Sequence, residues 1–90
     1  MYKHQTVHRI ELIVDPKPKI YYFILIFNLV FTGCGDGIAR AYDAKSATLK
    51  RIFQGHEGAI NCMIVVDEKL FTGSSDGTMR VWDAKDISDE

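Results

Sequence analysis

The feature that most constrains this chain is a segment that it contains twice, forty residues apart. Residues 31–45 and 71–85 align without a gap, and nine of the fifteen aligned positions are identical. A repeat of about forty residues is typical of arrays in which each copy is one structural unit stacked on the next. The chain is therefore built from units that must pack against one another.

Each copy of the repeat predicts two short strands joined by a tight turn. In the second copy, apolar and β-branched residues at 70–72 and 79–82 flank a cluster of turn formers that includes Asp76-Gly77. Glycine adopts positive φ without steric cost, and an aspartate side chain can bond the backbone across a turn. An Asp-Gly pair between two such runs predicts a β-hairpin. The first copy predicts the same hairpin around Asp36-Gly37.

Two further strands are predicted between the hairpins. Residues 48–53 are mostly polar with apolar positions at the end, which favours an outer, half-solvated strand. Residues 60–66 are almost wholly apolar, which favours a strand covered on both faces. No stretch sustains a period of 3.6 residues, so essentially no helix is expected.

Three short motifs occur in order between residues 55 and 83: Gly55-His56, Ser75-Asp76-Gly77 and Val81-Trp82-Asp83. With this spacing, and with a partial copy at the same period, the chain resembles the WD40 repeat family. That family builds β-propellers from four-stranded blades. The resemblance implies an all-β fold of one to two four-stranded antiparallel blades, an incomplete β-propeller. The strands it implies are 20–26, 29–34, 38–43 and 47–53 in one blade, and 60–66, 69–75 and 78–83 in the next.

The resemblance divides the chain unevenly. It covers residues 46–85 well, as a WD40 repeat, and residues 20–45 in a degraded form. When the chain is shifted by forty residues, Asp15-Pro16 aligns with Gly55-His56, and Tyr42 aligns with Trp82. Residues 1–19 form an atypical N-terminal segment, and residues 86–90 an acidic tail that is expected to be frayed and exposed.

In the second copy the resemblance implies a buried polar network. His56 would bridge Asp76 and Thr72, and Thr72 would reach the indole N–H of Trp82. A buried tryptophan needs an acceptor, and a buried imidazole needs a partner on each nitrogen. We interpret the network as structural rather than as a hydrolase triad, because the nucleophile would lie inside a sheet and no oxyanion hole is evident.

The first copy lacks the histidine and the tryptophan, so its network cannot form fully and its blade is expected to open more easily. Arg40 and Arg80 occupy equivalent places, and each is expected to pair on the surface with a nearby aspartate, Asp43 or Asp83.

The most apolar segment, residues 20–31, has three interpretations. A transmembrane helix needs about 20 apolar residues, more than this run offers. A signal sequence could have an apolar core of this length, but acidic residues precede the run. The third interpretation is a propeller strand, because residues 20–26 fall on residues 60–66 when shifted by the repeat. We favour the strand.

Composition narrows the classes of function. The net charge is −1 and the basic residues do not cluster, so nucleic-acid binding is not expected. Membrane association is not expected either.

The cysteines Cys34 and Cys62 are predicted to be buried thiols rather than a disulfide. His4 and His8 lack a third metal ligand. No catalytic residue, metal or cofactor is predicted, and the expected location is intracellular, cytoplasmic or nuclear.

The predicted function is a non-catalytic protein–protein interaction or scaffold module of WD40 type. Trp82-Asp83-Ala84-Lys85 faintly resembles a signature by which some WD40 proteins dock a cullin-type ubiquitin ligase, which gives a substrate-receptor role as an alternative. A membrane- or envelope-anchored protein that uses residues 20–31 is an alternative of another class. The candidate partner-binding loop residues are Gly35, Asp36, Gly37, His56, Glu57, Ser75, Asp76 and Gly77.

The number of blades leads to the first prediction. Propellers have about four to eight blades, and this chain supplies fewer than two complete ones. It is therefore expected to be a fragment or shortened form of a longer protein, to assemble with its own copies, or to complete another ring; we favour the first. The isolated chain should be insoluble or oligomeric by size-exclusion chromatography with light scattering, because an open pair exposes apolar faces. A monodisperse, cooperatively melting monomer would contradict this.

Overall fold

The computed structural model describes residues 18–87, and these form seven β-strands. The strands are β1 (Ile20–Ile26), β2 (Leu29–Cys34), β3 (Ile38–Asp43), β4 (Leu49–Gln54), β5 (Ile60–Val66), β6 (Lys69–Ser74) and β7 (Met79–Asp83).

The strands form two antiparallel sheets in chain order, β1-β2-β3-β4 and β5-β6-β7. Each strand pairs with the next one along the chain, so each sheet is a simple meander. Within residues 18–87 the two sheets do not close a ring. The predicted all-β fold is confirmed, and the predicted strand bounds differ from the observed ones by at most two residues, at the start of β4.

Both predicted Asp-Gly hairpins form, and the aspartates hold them. The Asp76 carboxylate accepts from the Thr78 amide at 2.8 Å, and the Asp36 carboxylate accepts from the Ile38 amide at 3.1 Å. The glycine that follows each aspartate has positive φ, 85° at Gly77 and 80° at Gly37. A residue with a Cβ would be strained there, which explains why glycine recurs at this place.

The core lies between the two sheets. One face of the first sheet packs on one face of the second, and the buried side chains that meet include Phe31, Ala39, Ala41, Ile60, Met63 and Leu70. The approach is closest at Gly33, where an added Cβ would lie 2.6 Å from Cγ2 of Ile60. Glycine at this position therefore lets the sheets come together.

Three sequence expectations about burial are wrong. Strand β5 is not covered on both faces, and Cys62 on it is exposed rather than buried, because no third sheet packs there within the described part of the chain. Ile87, which was assigned to the exposed tail, is only 1% exposed and joins the core. Its side chain is the one apolar group of residues 86–90. Burying it removes hydrocarbon from water.

Residues 20–31, for which three interpretations were open, form β1, a turn and the start of β2. No helix among residues 18–87 is long and apolar enough to cross a bilayer.

Candidate functional site

Three loops meet at one end of the two sheets and form a continuous surface, here called the loop surface: residues 35–37, 56–58 and 75–77. A Cβ added to Gly37 would lie 2.8 Å from the carbonyl oxygen of His56, which shows how closely the first two loops approach. Hydrogen bonds tie the third loop to the second. The Ser75 amide donates to the Ala59 carbonyl at 2.9 Å, and the Ser74 hydroxyl donates to the Gly58 carbonyl at 2.9 Å.

Beneath the loop surface, His56 connects the loops to the second sheet. Its side chain is buried, with Nε2 2.7 Å from Oγ1 of Thr72 and Nδ1 3.1 Å from Oδ2 of Asp76. The indole Nε1–H of Trp82 donates to the same Thr72 oxygen at 2.9 Å. The structure therefore brings together all four residues assigned to the network by sequence.

The hydrogen-bonding capacity of each group sets the proton positions. A carboxylate only accepts, so Nδ1 of His56 carries the proton that faces Asp76. In a neutral imidazole Nε2 is then an acceptor, and the Thr72 hydroxyl donates to it while accepting from Trp82. Both ring nitrogens of His56, the Thr72 hydroxyl and the Trp82 N–H each have a partner, so the network holds the loops in one register.

The indole of Trp82 joins the network to the core. Its ring meets Phe53 edge to face with centroids 5.8 Å apart, and the His56 ring lies 6.2 Å away. Arg80 lies over the indole, with its guanidinium carbon 6.0 Å from the ring centroid. The same tryptophan thus contacts both sheets and the loop network.

The pKa of the Asp76 carboxyl is held well below its ordinary value. The largest cause is the hydroxyl of Thr78, which donates to Oδ1 at 2.6 Å; the Glu57 amide, which donates to Oδ2 at 2.9 Å, is next. These donors stabilise the charged form. Neither the Thr78 hydroxyl nor the Glu57 amide is predicted from the sequence; a threonine two residues after the turn aspartate is the signal that indicates the former.

The first sheet has a different arrangement at the equivalent positions. Arg40 is only 3% exposed and pairs with Asp36 at 2.8 Å, so the expected surface pair with Asp43 is wrong. The Asp43 carboxylate instead accepts the amides of residues 45 and 46 in the next turn, at 2.8 and 2.9 Å. Burial raises the pKa of the Cys34 thiol and of the Tyr42 hydroxyl, so both are neutral near pH 7.

The one hydroxyl of the network that could resemble a nucleophile, that of Thr72, is enclosed. Thr72 is 1% exposed and its hydroxyl is already bonded to two partners, which leaves the hydroxyl no access to a substrate. Within residues 18–87 no group of three His, Cys, Asp or Glu side chains could hold a metal ion.

Comparisons with known proteins agree with this architecture. Residues 47–83 match the family model described as WD domain, G-beta repeat, and over these residues the predicted resemblance to the WD40 repeat is confirmed. Two computationally designed proteins have similar crystal structures. Ika4 is 28% identical with a TM-score of 0.65, over 70% of this chain and 39% of that one. Ika8 is 26% identical with a TM-score of 0.68, over 76% of this chain and 21% of that one.

The chain thus spans well under two thirds of the length of either designed protein. No curated protein sequence matches it significantly.

Removing the hydroxyl that bonds both His56 and Trp82 should destabilise the fold. Thr72→Val keeps the shape of the side chain but leaves the Trp82 N–H and His56 Nε2 without a partner. We expect the free energy of unfolding in urea to fall by about 2–4 kcal/mol. The matched control is Thr32→Val at the equivalent position, where the hydroxyl bonds the Cys34 thiol at 3.9 Å and Tyr42. Its expected loss is about 1 kcal/mol, and equal losses would contradict the assigned role.

The lowered pKa of Asp76 predicts how stability depends on pH. Because the folded value lies below the unfolded one, the stabilisation is present above about pH 4 and is lost as the pH falls further. Asp76→Asn should lower Tm at pH 7 and flatten the decline of Tm between about pH 5 and pH 2.

The control for this experiment is Glu57→Gln, which removes one charge from the same surface but keeps the backbone donor. It should leave both the Tm at pH 7 and the acid slope close to those of the wild type. An unchanged acid slope in Asp76→Asn would refute the assignment.

Proposed function

Because residues 47–83 are a WD40 repeat, we propose that this chain is a non-catalytic protein-interaction module whose partner contacts the loop surface. The single observation that supports this most is the convergence of the three loops, which come from both sheets, over one satisfied network. Loops held in this way lose little conformational freedom when a partner binds, and such preorganisation favours affinity.

The charge of the loop surface favours a basic partner. Residues 35–37, 56–58 and 75–77 include Asp36, Glu57 and Asp76 but no lysine or arginine. Asp36 is paired with Arg40 and Asp76 with His56, whereas Glu57 is exposed. Complementary charge across an interface speeds encounter and suppresses wrong partners. We therefore propose a partner protein or peptide that presents lysine or arginine beside Glu57.

The proposed setting is intracellular, cytoplasmic or nuclear. Both cysteines of the chain are free, and thiols persist as such in reducing compartments. The module is also proposed to have a further neighbour, either in a larger ring or as another copy, because two sheets do not complete a propeller.

A role as a ubiquitin-ligase receptor is the alternative suggested by residues 82–85. In the structure these residues end β7 and begin a turn in which the Asp83 carboxylate accepts from the Lys85 amide at 2.9 Å. The indole of Trp82 is engaged by Thr72 and Phe53. Turn formation and packing therefore account for this tetrapeptide, and the loop surface is the better-supported candidate.

The proposal is tested by fluorescence anisotropy with two labelled extended peptides, one rich in lysine and arginine and one rich in glutamate. The wild type should bind the basic peptide more tightly. Glu57→Lys should weaken that binding about fivefold to tenfold, because it places like charges together.

The matched control is Glu68→Lys, the same charge change in the β5–β6 turn at the other end of the sheet. It should bind the basic peptide as the wild type does. Equal weakening in both variants would show that only net charge matters, and no preference for the basic peptide would refute the proposed partner chemistry.

A further inference from the structure

The face of the second sheet that points away from the first is apolar, and no other strand of residues 18–87 packs on it; we call it the outer face. Ile64 is 56% exposed, Met79 71% and Val81 54%. A shallow cleft of about 410 Å³ opens on this face. The apolar side chains of the outer face are Cys62, Ile64, Val66, Phe71, Met79 and Val81.

The repeat shows what kind of surface such a face contacts. The pairs Ile24–Phe31 and Ile64–Phe71 are in the same register, and both sheets have a bulge at the same place in their first strand. In the first sheet this face is the one that packs on the second sheet, and Phe31 is 1% exposed there. The outer face is therefore the counterpart of a surface that the chain itself buries against a sheet.

The first sheet carries the matching half of that contact. Met63 and Val65 pack against the first sheet from β5, and the residues at their positions in β1 are Phe23 and Leu25. These are 68% and 63% exposed. We call this pair the β1 patch. The internal contact joins one surface of the first sheet to one surface of the second. The outer face is the counterpart of the former and the β1 patch is the counterpart of the latter, and both are apolar and exposed.

We propose that the outer face binds the β1 patch of a second copy of this chain, head to tail, as a continuation of the contact between its own two sheets. The inference rests on the proposal that the module has a further neighbour, and it is independent of the loop surface. A head-to-tail contact closes into a ring when the rotation permits. Two to four copies supply the roughly four to eight sheets of a closed propeller.

One end of the new contact differs from the internal one. Lys69 of the outer face stands where the first sheet has the buried Leu29. On the first sheet Thr32 and Tyr42 are already buried, so the acceptor surface is centred on β1. The contact is therefore expected to be narrower than the internal one and to be centred on Cys62, Ile64 and Phe71.

The internal contact also predicts which atoms meet between copies. A Cβ on Gly33 would lie 3.2 Å from the sulfur of Met63. The equivalent of Gly33 on the outer face is Gly73. A Cβ added to Gly73 would lie 2.5 Å from the sulfur of Cys62. The equivalent of Met63 is Phe23. The Cys62 thiol of one copy should therefore lie beside Phe23 of the next copy.

The test is disulfide trapping of the full chain with Phe23→Cys under mild oxidation, read on a non-reducing gel. We expect covalent dimers and higher species, with peptide mapping that links Cys62 to the introduced thiol. The matched control is Lys45→Cys, an exposed position in the turn after β3, which should give no ladder. Adding Cys62→Ser to Phe23→Cys should abolish the ladder.

The other outcomes overturn the proposal. Efficient Cys62–Cys62 linkage in the wild type would indicate a face-to-face dimer instead. Val81→Lys tests the surface without altering β1: it should shift the assembly to a smaller species by light scattering, while Thr48→Lys should not. If Val81→Lys leaves the assembly unchanged, the outer face is not the contact. A monomeric wild type that still binds the basic peptide would overturn this inference and leave the proposed loop surface intact.

Discussion

The structure depends on one constraint: a β-sheet whose two faces are both apolar needs a neighbour on each face. Burying hydrocarbon is the main favourable term in folding, and the contact between the two sheets satisfies it once, around Phe31, Ile60 and Leu70. Gly33 permits that contact because any larger residue would collide with Ile60. The remaining apolar surfaces, on the second sheet and on β1, follow from the same repeat.

The polar network and the hydrophobic core share a residue, Trp82. Trp82 contacts Phe53 in the core with its ring and Thr72 with its N–H. Thr72 in turn hydrogen-bonds His56, and His56 hydrogen-bonds Asp76 in the loop. A buried network that leaves no group unpaired specifies one arrangement, because any other leaves a donor or acceptor unsatisfied. The loop surface is therefore positioned by the core of the sheet beneath it.

Most of the fold could be predicted from sequence, because the signals are local. The Asp-Gly pairs fix the hairpins, and the apolar runs between them give the strands. The four network residues could be named because the motifs of the second copy stand at the spacing of the WD40 family. Thr78 could not, since its role depends on how the turn brings its hydroxyl to Asp76.

The repeat, the strands and the turns can be read from the amino-acid sequence, since these depend on residues that are near one another in the chain. Which apolar face is covered depends on whether another sheet lies against it, and that follows from the folded arrangement alone. Arg40 and Arg80 show the difference: they are the same residue at the same repeat position, yet Arg40 is buried beside Asp36 and Arg80 is exposed over Trp82. The burial of a residue depends on the neighbours that pack against it in the folded chain, so it cannot be read from the sequence of one repeat.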